Sequence, residues 1–231
     1  MLTQVTGIVV THNTKEIFER AYTSVRRFHP DMPLIIIDGS DAADPCAAFV
    51  ASLKGGANMV YQLGYNIGHG RGLHYGLQRC PTPLALCFDS DIVMLQSPLA
   101  AMVELISPDV YGVGWITEVG DDGFDFGTPD HGHVVPVPYL HPYFMLLNLR
   151  QYFTFAPAVH HGAPMFKAMN DLHCKGQSGR LRSFTGLTGH TSGEGINWRG
   201  TPNAYIQHDF GGTRTANRRA GAQEIEGVWE R

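Results

Sequence analysis

Two carboxylates one residue apart, Asp89 and Asp91, follow the apolar run Leu84–Phe88 (LALCF). In extended chain, residues i and i+2 point to the same side. Two carboxylates so placed repel unless a cation lies near them. A hard divalent ion such as Mg²⁺ or Mn²⁺ suits such oxygen ligands and would bridge onward to phosphate oxygens. The same Asp89-Ser90-Asp91 triplet also suits a solvated turn in which Asp caps the next segment. A second stretch with chemical content is Asn66-Ile67-Gly68-His69-Gly70-Arg71-Gly72-Leu73-His74-Tyr75-Gly76-Leu77. Its glycines let backbone approach a ligand, or simply tighten a turn before a helix. Arg71 offers a bidentate fork that fits a diphosphate. The stretch departs from the dinucleotide-binding glycine pattern, because Leu73 stands where the third glycine would fall. It also lacks the Gly-Lys-Ser/Thr ending of a P-loop.

These residues need a frame, and the flanking pattern supplies one. Val5–Val10, Leu34–Ile37, Asn58–Gln62 and Leu84–Phe88 read as short buried strands. Between them lie helical signals. One runs from Thr14 as cap to about Phe28, with Ile17, Phe18, Ala21 and Val25 on one face. Another covers most of Ala42–Leu53, with Asp44 as cap and Pro45 in the first turn. A third holds Leu73–Gln78 and starts inside the glycine stretch. Strand–helix alternation implies a parallel sheet wound in βαβ units. In such sheets ligands collect at the C-terminal strand ends. Three polar turns fall there: Thr11–Asn13, Asp38–Asp41 and Asp89–Asp91.

The rest of the chain is less regular. Val110–Ile116 reads as a strand and Glu118–His133 as an Asp- and Gly-rich loop. Tyr143–Leu149 reads as an apolar strand or short helix, Ala163–Leu172 as a helix, Gly176–Gly200 as a glycine-rich flap and Ala204–Gln207 as a last strand. The pairs His131/His133 and His160/His161 lack a third fixed ligand and read as loop histidines. Trp115 reads as core.

Length and composition bound the answer. The 231 residues suit one compact domain. A net charge of −4 gives no overall sign of a nucleic-acid or membrane binder, although Arg199, Arg214, Arg218, Arg219 and Arg231 cluster toward the end. No apolar stretch approaches the roughly 20 residues of a membrane helix. Met1–Val10 has no basic start and runs straight into a strand, so no signal peptide is expected. None of the four cysteines sits in a CxxC pair, so free thiols and a cytoplasmic location are expected.

Four features in order make the first ~95 residues resemble the nucleotide-binding half of family 2-type glycosyltransferases with the GT-A fold. Val9-Val10-Thr11-His12-Asn13 is similar to the family's opening strand and its Thr/Tyr/Asn turn. Asp38-Gly39-Ser40-Asp41 is close to its Asp-Gly-Ser-x-Asp. Asn66-Ile67-Gly68 matches its first Asn-x-Gly, and His74-Tyr75-Gly76 falls where the second belongs, with His for Asn. Asp89-Ser90-Asp91 matches its Asp-x-Asp. The resemblance implies one α/β GT-A domain over 1–231. Its central sheet would be mostly parallel and flanked by helices, with a Rossmann-like nucleotide-sugar half at 1–96 and an acceptor half at 97–231. It implies a metal-dependent glycosyltransferase using a UDP- or GDP-sugar with Mn²⁺ or Mg²⁺.

Residue by residue, the resemblance places Thr11 and Asp38 on the base with Asn13 nearby. Asn66, Gly68 and Arg71 would line the base and ribose side. Asp89 and Ser90 would face ribose or metal, and Asp91 would bind the metal. His208, before the Gly211-Gly212 turn, resembles the late metal-ligating histidine, with Thr213 and Arg214 near the diphosphate. A general base would come from the second half, with Asp121, Asp122, Asp125, Asp130, Asp171 and Glu118 as candidates. A retaining mechanism would need none. The acceptor could be a glycan, a protein, a small molecule or modified nucleic acid. The competing readings are a nucleotidyltransferase and a nucleotide-sugar-binding module without turnover. A nucleotidyltransferase would show a basic glycine-rich loop after strand one, where Thr11-His12-Asn13-Thr14 stands.

Overall fold

The computed structural model describes residues 4–120, 135–159, 163–187 and 204–208. Several expected features lie outside them: Arg214, Thr213 and the other C-terminal arginines, Asp121, Asp122, Asp125, Asp130, His131, His133, His160 and His161.

Three βα units and a fourth strand open the chain: β1 (Val5–Thr11), α1 (Lys15–Phe28), β2 (Leu34–Asp38), α2 (Pro45–Ser52), β3 (Asn58–Gln62), α3 (His69–Leu77) and β4 (Leu84–Phe88). There follow β5 (Ile92–Met94), α4 (Leu99–Glu104), β6 (Gly112–Gly120), β7 (Pro136–Asn148), α5 (Leu149–Tyr152), α6 (Phe166–Cys174), β8 (Leu181–Ser183) and β9 (Ile206–His208). The main sheet has seven strands in the order β3-β2-β1-β4-β7-β6-β8. All are parallel except β7, which runs against both β4 and β6. A separate ribbon pairs β5 with β9 antiparallel.

Alternation within each strand feeds two cores. Val5, Val9, Leu34, Ile36, Leu84, Leu86 and Phe88 face α1, α2 and α4. Ile8, Ile35, Ile37, Ala85 and Cys87 face α3, α5 and α6. Strands buried on both faces need the near-continuous apolar sequence that β2 and β4 carry. Asp44 caps α2, its carboxylate accepting from Cys46 N at 2.7 Å, with Pro45 in the first turn. Thr14 stands at the cap of α1 without a capping side-chain bond.

The glycines of α3 serve packing. A Cβ on Gly76 would lie 2.7 Å from Ile8 Cγ2, and one on Gly72 would lie 2.8 Å from Val10 Cγ1. Absent side chains let α3 seat directly on β1. Gly68, with φ +80°, makes the turn that starts the helix.

The second half departs from expectation in three places. The strand expected at Val110–Ile116 runs to Gly120, so Glu118 is an exposed strand residue rather than part of a loop. The segment expected at Tyr143–Leu149 is the end of the 13-residue β7. Gly176–Gly200 contains β8 and a 3-10 turn at Ser178–Arg180 before it passes outside the described residues. Pro138 and Pro142 hide β7 from a reading by periodicity. Pro142 is tolerated because the β6–β7 ladder breaks there: Gly114 pairs with Met145 and Ile116 with Leu140, leaving His141 to Phe144 opposite Trp115 alone. Among the described residues no helix is long and apolar enough to cross a membrane.

Candidate functional site

The three polar turns do converge at the C-terminal ends of the parallel strands. Backbone bonds tie the first two together. Gly39 N donates to Thr11 O at 3.0 Å, and Asn13 N donates to Ser40 Oγ at 2.9 Å. Asn13 and Asp41 pair reciprocally: Asn13 Nδ2 donates to Asp41 Oδ2 at 2.9 Å, and Asp41 N donates to Asn13 Oδ1 at 3.0 Å. Asp38 is buried, with Oδ1 accepting from Ser40 N at 2.9 Å and Oδ2 from Gln62 Nε2 at 3.1 Å. The Thr11 hydroxyl is also buried, facing the Thr14 hydroxyl at 3.2 Å and the Cys46 thiol at 3.7 Å. Residue 39 must be glycine for the next loop to pass, since a Cβ there would lie 2.8 Å from Tyr65 O. That crossing brings Asn66 beside the Asp38 turn. Asn66 is exposed, and its Oδ1 accepts from Gly68 N at 2.9 Å.

The third turn forms a compact polar cluster. Asp89 closes β4, and its N–H donates to Tyr143 O at 3.0 Å. Asp91 immediately precedes β5. The β5–β9 ribbon pairs Ile92 with His208, which swings the late imidazole beside both carboxylates. His208 Nε2 lies 3.5 Å from Asp89 Oδ2 and 3.3 Å from Asp91 Oδ1. One ligand atom from each of Asp89, Asp91 and His208 lies within 4.8 Å of the others. Asp91 and His208 are buried, and Ser90 between the carboxylates is buried as well.

Electrostatics follow from this crowding. Burial alone would raise the Asp89 carboxyl and lower the His208 imidazole. The interactions outweigh burial in both cases. His69 and His208 hold Asp89 well below the usual carboxylate range, and Asp89 and Asp91 raise His208 to about 9. His69 Nε2 stands 3.2 Å from Asp89 Oδ1. That oxygen is nevertheless buried and receives no hydrogen bond of regular geometry. The pairing is therefore one of charge and proximity, and Asp89 retains unused acceptor capacity. Two carboxylates and an imidazole, clustered with Asp91 and His208 buried and Asp89 partly so, fit a divalent cation of the Mn²⁺ type.

The bulge in β7 builds a wall over the cluster. The Tyr143 ring stacks on His208 with centroids 5.0 Å apart and planes 12° apart. His141 lies 5.4 Å from Tyr143 and 5.3 Å from Trp115. Sequence reading missed His69, His141 and Tyr143. His69 was visible as the first residue after Gly68, but only the seating of α3 on β1 brings it to Asp89.

Other expected residues sit elsewhere. Arg71 is exposed on the first turn of α3. His74, at the position of the second Asn-x-Gly, places Nδ1 2.8 Å from the Tyr152 hydroxyl within the α3–α5 core, and burial lowers its pKa. Asp171 is half-buried on α6, and no described side-chain contact joins it to the cluster.

Comparison with known proteins agrees with this geometry. Among curated proteins none matches the chain in sequence. Solved structures share the fold. A mannosyltransferase from Pyrobaculum calidifontis, PcManGT, in complex with GDP-Man and Mn²⁺, superposes with a TM-score of 0.52 at 14% identity, over 71% of this chain and 50% of that one. S. aureus TarS 1-349 in complex with UDP-GlcNAc gives 0.53 at 14% identity, over 78% and 56%. Glucosyl-3-phosphoglycerate synthase from Mycobacterium tuberculosis, in complex with Mn²⁺, UDP-Glc and phosphoglyceric acid, gives 0.52 at 14% identity, over 78% and 68%. The chain thus spans about half the length of the first two. The mixed sheet with its single reversed strand is the GT-A arrangement of these enzymes. The family profile described as Glycosyl transferase family 2 matches residues 6–172, well over half of the sequence. On that match, with the parallel β1–β4 half and the Asp-x-Asp end of β4 both in place, the chain belongs to glycosyl transferase family 2.

Proposed function

We propose that this chain transfers a glycosyl group from a nucleoside-diphosphate sugar to an acceptor hydroxyl, with Asp89, Asp91 and His208 holding a divalent cation, Mn²⁺ or Mg²⁺. The observation that carries the reading is the cluster itself: three ligand atoms within 4.8 Å, at the strand end where the nucleotide turns converge. The imidazole favours Mn²⁺ over Mg²⁺. When bound, the ion supplies positive charge against the negative charge that grows on the leaving diphosphate.

The protein residues do the positioning. Asn13, Asp38 and Asn66 frame the base and ribose, with Thr11 bracing the turn from inside. Gly68 and Ser90 shape the backbone beside them, and the exposed Arg71 and the late Arg214 are proposed for the diphosphate. The complexes of PcManGT with GDP-Man and Mn²⁺, and of the mycobacterial synthase with UDP-Glc and Mn²⁺, support a GDP- or UDP-sugar as donor. For an inverting reaction, the half-buried Asp171 is proposed beside Glu118, Asp121, Asp122, Asp125 and Asp130 as the carboxylate that takes the acceptor's proton, whereas a retaining reaction needs none. A glycan, protein or small molecule is proposed as acceptor, with modified nucleic acid bound through the C-terminal arginines as the charged alternative. Four free cysteines support a reducing, cytoplasmic setting.

The test is incubation with a panel of UDP- and GDP-sugars and Mn²⁺, following release of nucleoside diphosphate. One donor should be hydrolysed slowly even without acceptor. Asp91→Asn and His208→Ala should each abolish that release. Full release by both variants overturns the cation reading. Binding of a donor without release by the parent protein identifies a silent binding module, and pyrophosphate release from a nucleoside triphosphate identifies a nucleotidyltransferase.

A further inference from the structure

His69 lies outside the trio that faces the cation position, yet it contacts one of its members. Its Nε2 is 3.2 Å from Asp89 Oδ1, while the other oxygen of the same carboxylate, Oδ2, is 3.5 Å from His208 Nε2. The two imidazoles therefore stand against opposite oxygens of one carboxylate, His69 by charge and proximity rather than by a hydrogen bond of regular geometry. Its side chain is 20% exposed and that of Asp89 18%, so the pair is shielded from bulk water without being sealed from it.

The placement of His69 is built into the fold. On a helix, positions i, i+3 and i+7 share a face. From His69 these positions are Gly72 and Gly76, whose missing side chains let α3 lie against Val10 and Ile8 of β1. Leu73 and Leu77, both buried, extend the same stripe. β1 pairs with β4, and Asp89 follows directly on β4. A helix seated by two close glycine contacts on β1 thus carries its first residue to the end of the neighbouring strand. Arg71, two residues on, is turned about 200° around the helix axis from His69, and it is exposed.

We propose that His69 is a positioning residue for the cation site: by holding Oδ1 of Asp89 it fixes the carboxylate so that Oδ2 faces His208 and Asp91, and it thereby sets the affinity for the divalent ion. This inference rests on the cation reading above. A flexible carboxylate would have to be immobilised when the ion arrives, whereas one already held from behind need not. Groups that orient metal ligands in this way are typically worth about 10- to 100-fold in affinity. The fold-level source of that orientation is α3 and its glycines.

The experiment measures Mn²⁺ binding to the full chain without donor, from the electron paramagnetic resonance signal of the free ion, alongside thermal melting of the metal-free protein. His69→Leu keeps bulk but removes the polar atom. His69→Gln keeps an N–H within reach of Oδ1. His69→Asn is too short to reach it. The expected result is a Kd raised roughly tenfold or more in the Leu and Asn variants and restored to within about threefold of the parent in the Gln variant, with metal-free melting used to confirm that each variant folds. Should the Leu variant fail to melt cooperatively, the Gln and Asn pair decides. Equal or tighter binding by the Leu or Asn variant, or a Gln variant as weak as Asn, overturns the role of His69 and leaves the cation site standing. Absence of Mn²⁺ binding by the parent protein overturns the site and this inference together.

Discussion

If His208 is a ligand of the proposed cation, proton and cation must compete for it, and that competition has a size. In the metal-free protein burial would lower this imidazole, but Asp89 and Asp91 outweigh it and raise the group to about 9. At about pH 7 only about one molecule in 100 then presents a neutral ring, against about one in four at about pH 8.5. A metal ligand must be the neutral imidazole, so apparent Mn²⁺ affinity should rise about 25-fold across that interval, with roughly one proton released per ion bound near neutrality. An unperturbed imidazole would give less than about 1.5-fold. The two cases are separable by titrating Mn²⁺ at several pH values. Calorimetry in two buffers of different ionisation heat counts the released protons. His208→Ala should bind weakly at every pH and lose the slope. Affinity flat with pH, with no proton released, would refute the placement of His208 between the carboxylates.

Two more outcomes follow from the same geometry. Without metal, a group whose folded pKa is raised contributes stability that is complete below its unfolded value of about 6.5 and disappears as pH rises through the folded value. His208 therefore stabilises the apoprotein by up to about 3 kcal/mol in mild acid, fading toward pH 9. Asp89, held below the usual range, contributes stability that is lost only as pH falls below ordinary carboxylate values. Denaturant midpoints of the metal-free protein should drop on the alkaline side, and saturating Mn²⁺ should flatten that drop; a profile unchanged by His208→Ala refutes the assignment. At the packing level, Gly76→Ala puts a methyl 2.7 Å from Ile8 Cγ2. It should cost about 1–3 kcal/mol of overpacking, against about 1 kcal/mol gained in helix propensity. Gly179→Ala, with nothing within 4 Å, is the control, expected within about 0.5 kcal/mol of the parent in urea melts.

The first half of the fold was legible because its signals are local. Strands β3 and β4 fall where the apolar runs place them, and β1 and β2 extend the expected runs by one residue each, to Thr11 and Asp38. Asp44 and Pro45 mark the start of α2 by chemistry that needs no tertiary information. The second half was obscured by features whose meaning is tertiary. Pro138 and Pro142 read as strand breakers, yet they sit in a central strand whose ladder is interrupted opposite Trp115. β5 has three residues and, among the described residues, pairs with β9 alone, whereas the last strand expected at Ala204–Gln207 is present as β9, Ile206–His208. At the site, Asp89, Asp91 and His208 were readable from residue type and context. Arg71 drew notice by its charge, while His69, on the inward face of the same helical turn, makes the contact.

The reversed strand explains why the site can be closed at all. In a purely parallel sheet every strand would stop at the level of Phe88, and its C-terminal edge would be an open shelf. β7 enters from the opposite direction, so the residues before its pairing with Phe88 overhang that shelf. Tyr143 gives its carbonyl to Asp89 N and its ring to His208, and the bulge that accommodates Pro142 aims His141 into the same wall. Among the described contacts, this wall, the short ladder with β5, the buried Ile206 and the packing of Tyr205 on Phe184 hold β9. The pairing of His208 with two carboxylates ties this short segment to the end of β4. A cation that replaced that pairing with coordination would fasten the same segment to the end of β4. On the proposed cation site, binding the ion and docking the late ribbon would be one event, with the most distant residue in sequence, His208, the most buried of the three.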